Sequence, residues 1–228
     1  VNRAVAFVPL ARIARTPRGW APIAGWCAIV LVAAIGARAA GDTSGATHVL
    51  RGTLGYVALP LLAYGVVAAA LGGAGLRASI RGVVALGAEP TRAAFASVLA
   101  AMACSALGGG ILAAVVCAIA HGPADPPLLP DLLASFGVSF FGAGAYAAYF
   151  CVGSAIGRGG MRGGLLALDW FFGAPGGFGA IFVPRGHVTS LLGGQACFEL
   201  SRRTSSVLLF LLLVVWLVVA VRLGRRAS

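Results

Sequence analysis

Asp169 is the one acid of this 228-residue chain that falls inside an apolar run. A bare carboxylate in hydrocarbon is expensive, so such a residue is a candidate for function by default. Three roles suit it: one half of a structural ion pair, a place on a transport path, or a proton relay. It follows Arg162 by seven residues, which is about 10 Å at helical rise. That depth allows pairing or hydration from the basic end of its run. A second group is aromatic. Phe140, Phe141, Tyr146, Tyr149 and Phe150 crowd one stretch; they suit either the lining of a path for an apolar substrate or the core of a bundle. Glu89 stands between Arg81 and Arg92. It can pair with either arginine or meet a cation on a partner.

Other chemistry lacks its residues. His48, His121 and His187 all fall in connections between apolar runs, on one side of the membrane. Ser154, in Val-Gly-Ser-Ala, has no histidine partner inside any run, so an intramembrane serine hydrolase is not expected. His-Glu clusters for a metal-dependent protease are absent, as is a Gly-rich loop ending in Lys-Ser or Lys-Thr for phosphate. Cys27, Cys104, Cys117, Cys151 and Cys197 form no Cys-x-x-Cys pair, and four lie in apolar runs where a thiol acts as a small hydrophobe. The expectation is a chain with no catalytic, cofactor or metal residues of its own.

The elements that must position Asp169 are membrane spans. The chain is 60% hydrophobic and 10% charged, against about 25% charged in a soluble domain. Its runs approach or exceed the roughly 20 apolar residues that cross a bilayer. The expected fold is an all-α integral membrane protein, a single transmembrane domain over 1–228 with six spans. These are Trp20–Ala40, Gly52–Leu76, Ala93–Ala120, Leu132–Ile156, Leu165–Val183 and Ser205–Val221. Pro60 predicts a kink in the second. Gly108, Gly109 and Gly110 in the third, and the Gly153/Gly157 pair in the fourth, predict close helix packing. The fifth carries Gly173, Pro175, Gly176, Gly177 and Gly179, so a helix broken near Pro175 that re-enters or lies at the surface is expected. Before the first span, Val1–Gly19 mixes Phe7, Val8, Leu10 and Ile13 with Arg3, Arg12, Arg15 and Arg18. It reads as an interfacial helix ended by Pro17, not as a cleaved signal peptide.

The net charge of +11 comes from arginine alone. The arginines flank the apolar runs, so anionic lipid is the expected neighbour and nucleic acid is not. With the N-terminus in the cytoplasm, twelve arginines fall on the cytoplasmic side, including Arg158, Arg162, Arg222, Arg225 and Arg226. Five fall outside: Arg38, Arg51, Arg185, Arg202 and Arg203. Both termini are then cytoplasmic, in a bacterial-type inner membrane. His121–Asp131, with four prolines, is a stiff exterior loop, and Pro184–Thr204 is the most polar exterior segment.

The longest cationic connection, residues 77–92, carries Arg77, Arg81 and Arg92, is apolar in the middle, and breaks at Gly87 and Pro90. A short amphipathic helix across the cytoplasmic end of the bundle is predicted. Six spans, an amphipathic N-terminal segment and this connection together resemble the membrane subunit of type-2 ATP-binding-cassette (ABC) exporters. The residue-level likeness is Arg81-Gly82-Val83-Val84-Ala85-Leu86 followed by Pro90-Thr91-Arg92. The chain departs from the family in having Ala78, Ser79 and Ala85 where acids are frequent, and almost no exterior domain. The resemblance implies a coupling helix that docks on a cytoplasmic ATPase subunit through Ile80, Arg81, Gly82, Val83, Val84, Leu86, Gly87 and Glu89. It implies a second permease subunit, ATP bound only in the partner, and a transport path to which Asp169, Phe141, Tyr146 and Tyr149 are the candidates. The readings that compete are a non-transporting membrane anchor and an ion-driven secondary transporter working through Asp169.

Overall fold

The computed structural model describes residues 2–15, 17–156, 160–174 and 176–225. Gly157, Arg158, Pro175 and Arg226 lie outside the described residues. Every regular element among those described is helical: α1 Asn2–Arg15, α2 Pro17–Ala39, α3 Gly45–Val49, a π-helical segment Leu50–Ala58, α4 Leu59–Leu71, α5 Gly75–Ala85, α6 Pro90–Ala120, α7 Leu128–Ile156, α8 Met161–Phe172, α9 Pro184–Leu191 and α10 Arg202–Gly224, with short 3-10 turns at Phe178–Ile181 and Cys197–Glu199. Five stretches are long and apolar enough to cross a membrane: Gly19–Ala39, Gly45–Ala85, Pro90–Ala120, Leu128–Ile156 and Arg202–Gly224. The chain is an all-α membrane protein.

α7 is the centre. Every residue from Gly142 to Ala155 is buried, which a helix shows only when packed on all sides. Gly and Ala dominate this stretch, so neighbours approach to backbone distance. α6, α10, α4 and α8 surround it. Of the three consecutive glycines of α6, two make the predicted approach. A Cβ on Gly109 would come within 2.8 Å of Ala143 and 2.9 Å of Leu59, and one on Gly110 within 2.9 Å of Phe136; Gly108 faces open space. Gly153 lies under the start of α8, where a Cβ would meet the Met161 backbone at 3.0 Å. The outer faces of α2, α6 and α10 expose Val32, Ile35, Leu107, Ile111, Val207 and Phe210. This surface suits acyl chains and not water.

Two ends of the bundle are distinguished by their contacts. At one, Arg77 Nε donates to Leu223 O (3.2 Å) and Arg162 Nη2 to Gly72 O (2.9 Å); α1 and α5 lie there. α1 turns Ile13 inward and leaves Phe7 exposed. At the other end, Arg38 Nη1 donates to His121 O (2.8 Å). The Asp125 carboxylate there accepts from Gly122 N (2.9 Å), Ala46 N (3.0 Å), Thr47 N (3.2 Å) and Thr47 Oγ1 (2.8 Å).

That carboxylate corrects a boundary. The spans expected at Trp20–Ala40 and Gly52–Leu76 leave 41–51 as a connection, but helix begins at Gly45. The first amides of α3 need acceptors, and Asp125, 79 residues away from Ala46, supplies them. Burial alone would raise the Asp125 pKa; the hydrogen bonds from Gly122, Thr47 and Ala46 outweigh it and hold the pKa below its ordinary value. A carboxylate with a lowered folded pKa stabilises the fold fully above its unfolded value, about 3.9, and ceases to do so as pH falls through the folded one. Amide exchange at Ala46 and Gly122, taken relative to the intrinsic rate at each pH, is therefore expected to stay slow from pH 7 to about 4 and to accelerate below it. Asp125→Asn is expected to accelerate it already at pH 7. Fast wild-type exchange at pH 7 would refute the cap.

Candidate functional site

The fifth apolar run is not one helix. α8 has 12 residues and α9 has 8, which is about 18 and 12 Å of helix, so neither alone spans a hydrocarbon core of about 30 Å. α8 ends at Phe172, where Gly173 N still donates to Asp169 O at 2.9 Å. α9 starts with Pro184 in its first turn, where a missing N–H costs nothing. Between them the described residues hold a 3-10 turn at Phe178–Ile181; Gly173, Ala180 and Val183 are buried, and Ala174, Gly176, Phe178 and Phe182 are exposed.

Asp169 and Arg185 meet at this break. Arg185 Nε donates to Asp169 Oδ2 at 2.9 Å, and both side chains are fully buried. The other carboxylate oxygen accepts from the Arg185 backbone N–H at 3.3 Å, so one carboxylate pairs with a guanidinium and also serves the N-terminus of α9, where negative charge is favoured. Arg185 Nη1 donates to the Tyr56 carbonyl. Tyr56 lies four residues before Pro60, so in an α-helix its carbonyl would accept from residue 60. Proline has no N–H to give. The π-helical segment and the arginine are thus two responses to one proline, and π segments recur at functional positions. The guanidinium also lies over the rings of Tyr56 (4.4 Å) and Trp170 (5.1 Å). A planar guanidinium can stack and fork in this way; an ammonium cannot.

This corrects the placement of Arg185 and His187. Both read as exterior-loop residues, yet both are fully buried in α9. Val188 of α9 packs into the gap left by Gly142 of α7, where a Cβ would fall 2.7 Å from it. The polar character of Pro184–Leu191 reflects an internal ion pair and its neighbours, not solvent. For Asp169 the structural pair is observed, with a partner from the segment beyond the break and not from the Arg162 end.

The aromatic candidates divide. Tyr146 is fully buried and stacks on Phe150 at 6.1 Å; its hydroxyl has no hydrogen-bond partner among the described residues. Tyr149 is 3% exposed, donates to Leu165 O at 3.1 Å and meets Trp216 edge-on at 5.3 Å. These two sit on the α7 core beside α8. Phe141 lies on the outer surface, against Phe140 and Phe210, and the structure does not bring it to them. Ser154 Oγ donates to Phe150 O one turn back (2.9 Å), an ordinary helical arrangement.

The connection at 77–92 forms α5 and a turn. Leu86 caps the helix. Gly87, at φ +89°, donates to Val84 O (2.9 Å), and Ala88 to Val83 O (3.2 Å), the double bond of a glycine-terminated helix. Leu76, Ser79 and Ile80 face inward, and Val83 and Val84 are half-buried. Ile80 is 1% exposed, so of the proposed docking residues it holds the helix down and presents no surface. Arg81, Gly82, Leu86, Gly87 and Glu89 are exposed, Leu86 at 83%. Glu89 pairs with Arg92 at 2.9 Å, not with Arg81.

Arg185, Trp170 and the Tyr56 carbonyl escaped the sequence reading. The one available signal was Pro60, whose position names the carbonyl left free. No protein-family model, curated protein or solved structure matches the chain.

Proposed function

We propose that the chain is the membrane-spanning permease subunit of a type-2 ABC transporter. It moves its substrate with ATP hydrolysed by a separate cytoplasmic subunit, and works beside a second permease subunit. The observation that carries this reading is α5. It is an amphipathic helix at the end of the second long apolar stretch, set off from α4 by the turn after Leu71, fastened by Leu76 and Ile80, with a glycine terminus and a bare face of Arg81, Gly82 and Leu86. A helix that only filled space would not leave Leu86 bare beside an arginine. A docked motor needs such a lever, and a Gly-rich bundle can shift by small sliding of its helices. In this reading α8 and α9 together make a fifth, broken crossing, α10 is the sixth, and both termini lie in the cytoplasm of a bacterial-type inner membrane. The ion-driven alternative is disfavoured because both oxygens of Asp169 already accept hydrogen bonds from Arg185.

The test reconstitutes the chain with the cytoplasmic ABC-type ATPase that this reading requires to co-purify with it. Reversing a charge, or placing one on an apolar contact, at a central docking residue costs about 2 kcal/mol or more, or roughly thirtyfold in affinity. With the ATPase at about ten times its wild-type Kd, Arg81→Glu and Leu86→Asp are therefore expected to cut stimulation to about a quarter or less, with membrane insertion and helix content unchanged. Unaltered stimulation in both variants refutes the docking assignment.

A further inference from the structure

Cys117, His121 and Asp131 converge at the bundle end opposite α5. One ligand atom from each lies within 4.8 Å of the others. We propose that they bind a divalent transition-metal ion of the zinc class, with three protein ligands and one open position.

The ligand types suit that ion. A thiolate, an imidazole and a carboxylate are the donors zinc takes, and three protein ligands with a free fourth position is a recurrent zinc arrangement. Cys117 is in the last turn of α6 and His121 is the residue that ends the helix, four positions on; their ligand atoms lie within 4.8 Å of one another. Asp131 enters from the first turn of α7, and its Oδ2 is already 3.3 Å from Cys117 Sγ. Ligands of these types around a tetrahedral ion stand about 3.3–3.6 Å apart at ordinary bond lengths. A separation of 4.8 Å must therefore close by about 1.3 Å, within reach of a side-chain rotation.

Three further observations point to a ligand. His121 Nδ1 is buried and has no hydrogen-bond partner among the described residues, an arrangement that wastes a polar atom unless something binds there. The backbone presenting the histidine is held: Arg38 donates to His121 O, and Asp125 accepts from Gly122 N. Preset ligands bind metal more tightly than loose ones. Finally, Asp131 also lines a neighbouring cavity of about 370 Å³ together with Thr47, Ser135 and Arg202, which Cys117 and His121 do not line, so an ion would reach the triad from the Asp131 side.

The charges also balance. On binding, the Cys117 thiol gives its proton to solvent. The thiolate and the Asp131 carboxylate supply two negative charges, the imidazole is neutral, and the ion carries two positive charges. The loaded site is neutral, which limits the cost of placing it at the edge of the hydrocarbon. The ion would tie α6 to α7 across the proline-rich loop.

The expectation of no metal residues rests on the missing Cys-x-x-Cys and His-Glu spacings. Cys117 and His121 are instead four residues apart across the end of α6, and the third ligand comes from the first turn of α7.

The experiment titrates the full chain, stripped of metal and held in detergent, with Co²⁺ and then Zn²⁺. The expected result is about one ion per chain, a thiolate-to-cobalt charge-transfer band, and its loss when Zn²⁺ displaces Co²⁺. Cys117→Ser is expected to remove the band, and His121→Ala and Asp131→Asn to weaken Zn²⁺ binding at least about tenfold. A chain with Cys27, Cys104, Cys151 and Cys197 all changed to Ser is expected to keep the band, which separates this site from the other thiols and from misfolding of the Cys117 variant. Absence of a thiolate band in the wild type overturns the proposal, as does a band that survives Cys117→Ser or is lost with the other four cysteines.

Discussion

Asp169→Asn destabilises the folded chain by about 3–5 kcal/mol, the cost of leaving one partner of a buried pair uncompensated. The size follows from where Arg185 is held. Its side chain is 0% exposed, so it cannot turn to water. The chain's other five acids, Asp42, Glu89, Asp125, Asp131 and Glu199, lie outside the apolar runs. The asparagine can still accept from the Arg185 amide, which keeps the loss to the charge itself. Arg185→Gln is expected to cost a similar amount from the other side. A double replacement, Asp169→Leu with Arg185→Met, is expected to recover most of the loss, because two apolar groups in hydrocarbon need no partner. Recovery stays incomplete: the Tyr56 carbonyl loses its donor and the Arg185 amide its acceptor, at about 1–3 kcal/mol for each buried group left unsatisfied. Thermal unfolding of the detergent-solubilised variants, taken as a double-mutant cycle, measures this. Strictly additive losses would show that the two side chains do not depend on one another.

Gly173→Val is the second large effect, and it removes no charge. A Cβ at this position would lie 2.6 Å from Arg185 Cδ and 2.7 Å from Arg185 Cβ, and would also strike the Asp169 carbonyl oxygen. Its φ of −79° suits any residue, so the cost is steric alone. Overpacking of this kind costs about 1–3 kcal/mol. Here relief means moving the guanidinium off the carboxylate, so the upper end is expected. Gly176 is the control. It stands three residues on, in the same irregular stretch, with nothing within 4 Å of an added Cβ; Gly176→Ala is expected to change stability by less than about 0.5 kcal/mol. Equal losses at the two positions would mean that the stretch resists any side chain and that the fit against Arg185 is not what matters.

Both predictions concern the break between α8 and α9, and this is where local information stops being sufficient. The long helices needed none beyond the chain itself. Runs such as 93–120 and 205–221 are about 42 and 25 Å long as helix, comparable to or longer than a hydrocarbon core of about 30 Å, and lipid obliges such backbone to be helical, so α6 and α10 fall within a few residues of their expected ends. The amphipathic α5, its stop at Gly87 and the Glu89–Arg92 pair are likewise consequences of neighbours three or four residues apart.

The interior pairing had no such local cause. Asp169 alone announces a need for a partner but not its identity, since an arginine sixteen residues away in a polar segment looks like every other flanking arginine. Only packing chooses it: Gly142 admits Val188, Gly173 admits the Arg185 stem, and Pro60 leaves the Tyr56 carbonyl wanting a donor. The start of α3 is the same case, since its cap arrives from Asp125 across the bundle. Periodicity and length therefore decide which residues are helical. Which polar groups end up inside is decided by three-dimensional satisfaction, because a buried donor or acceptor is stable only opposite its complement, and that complement need not be near in the chain.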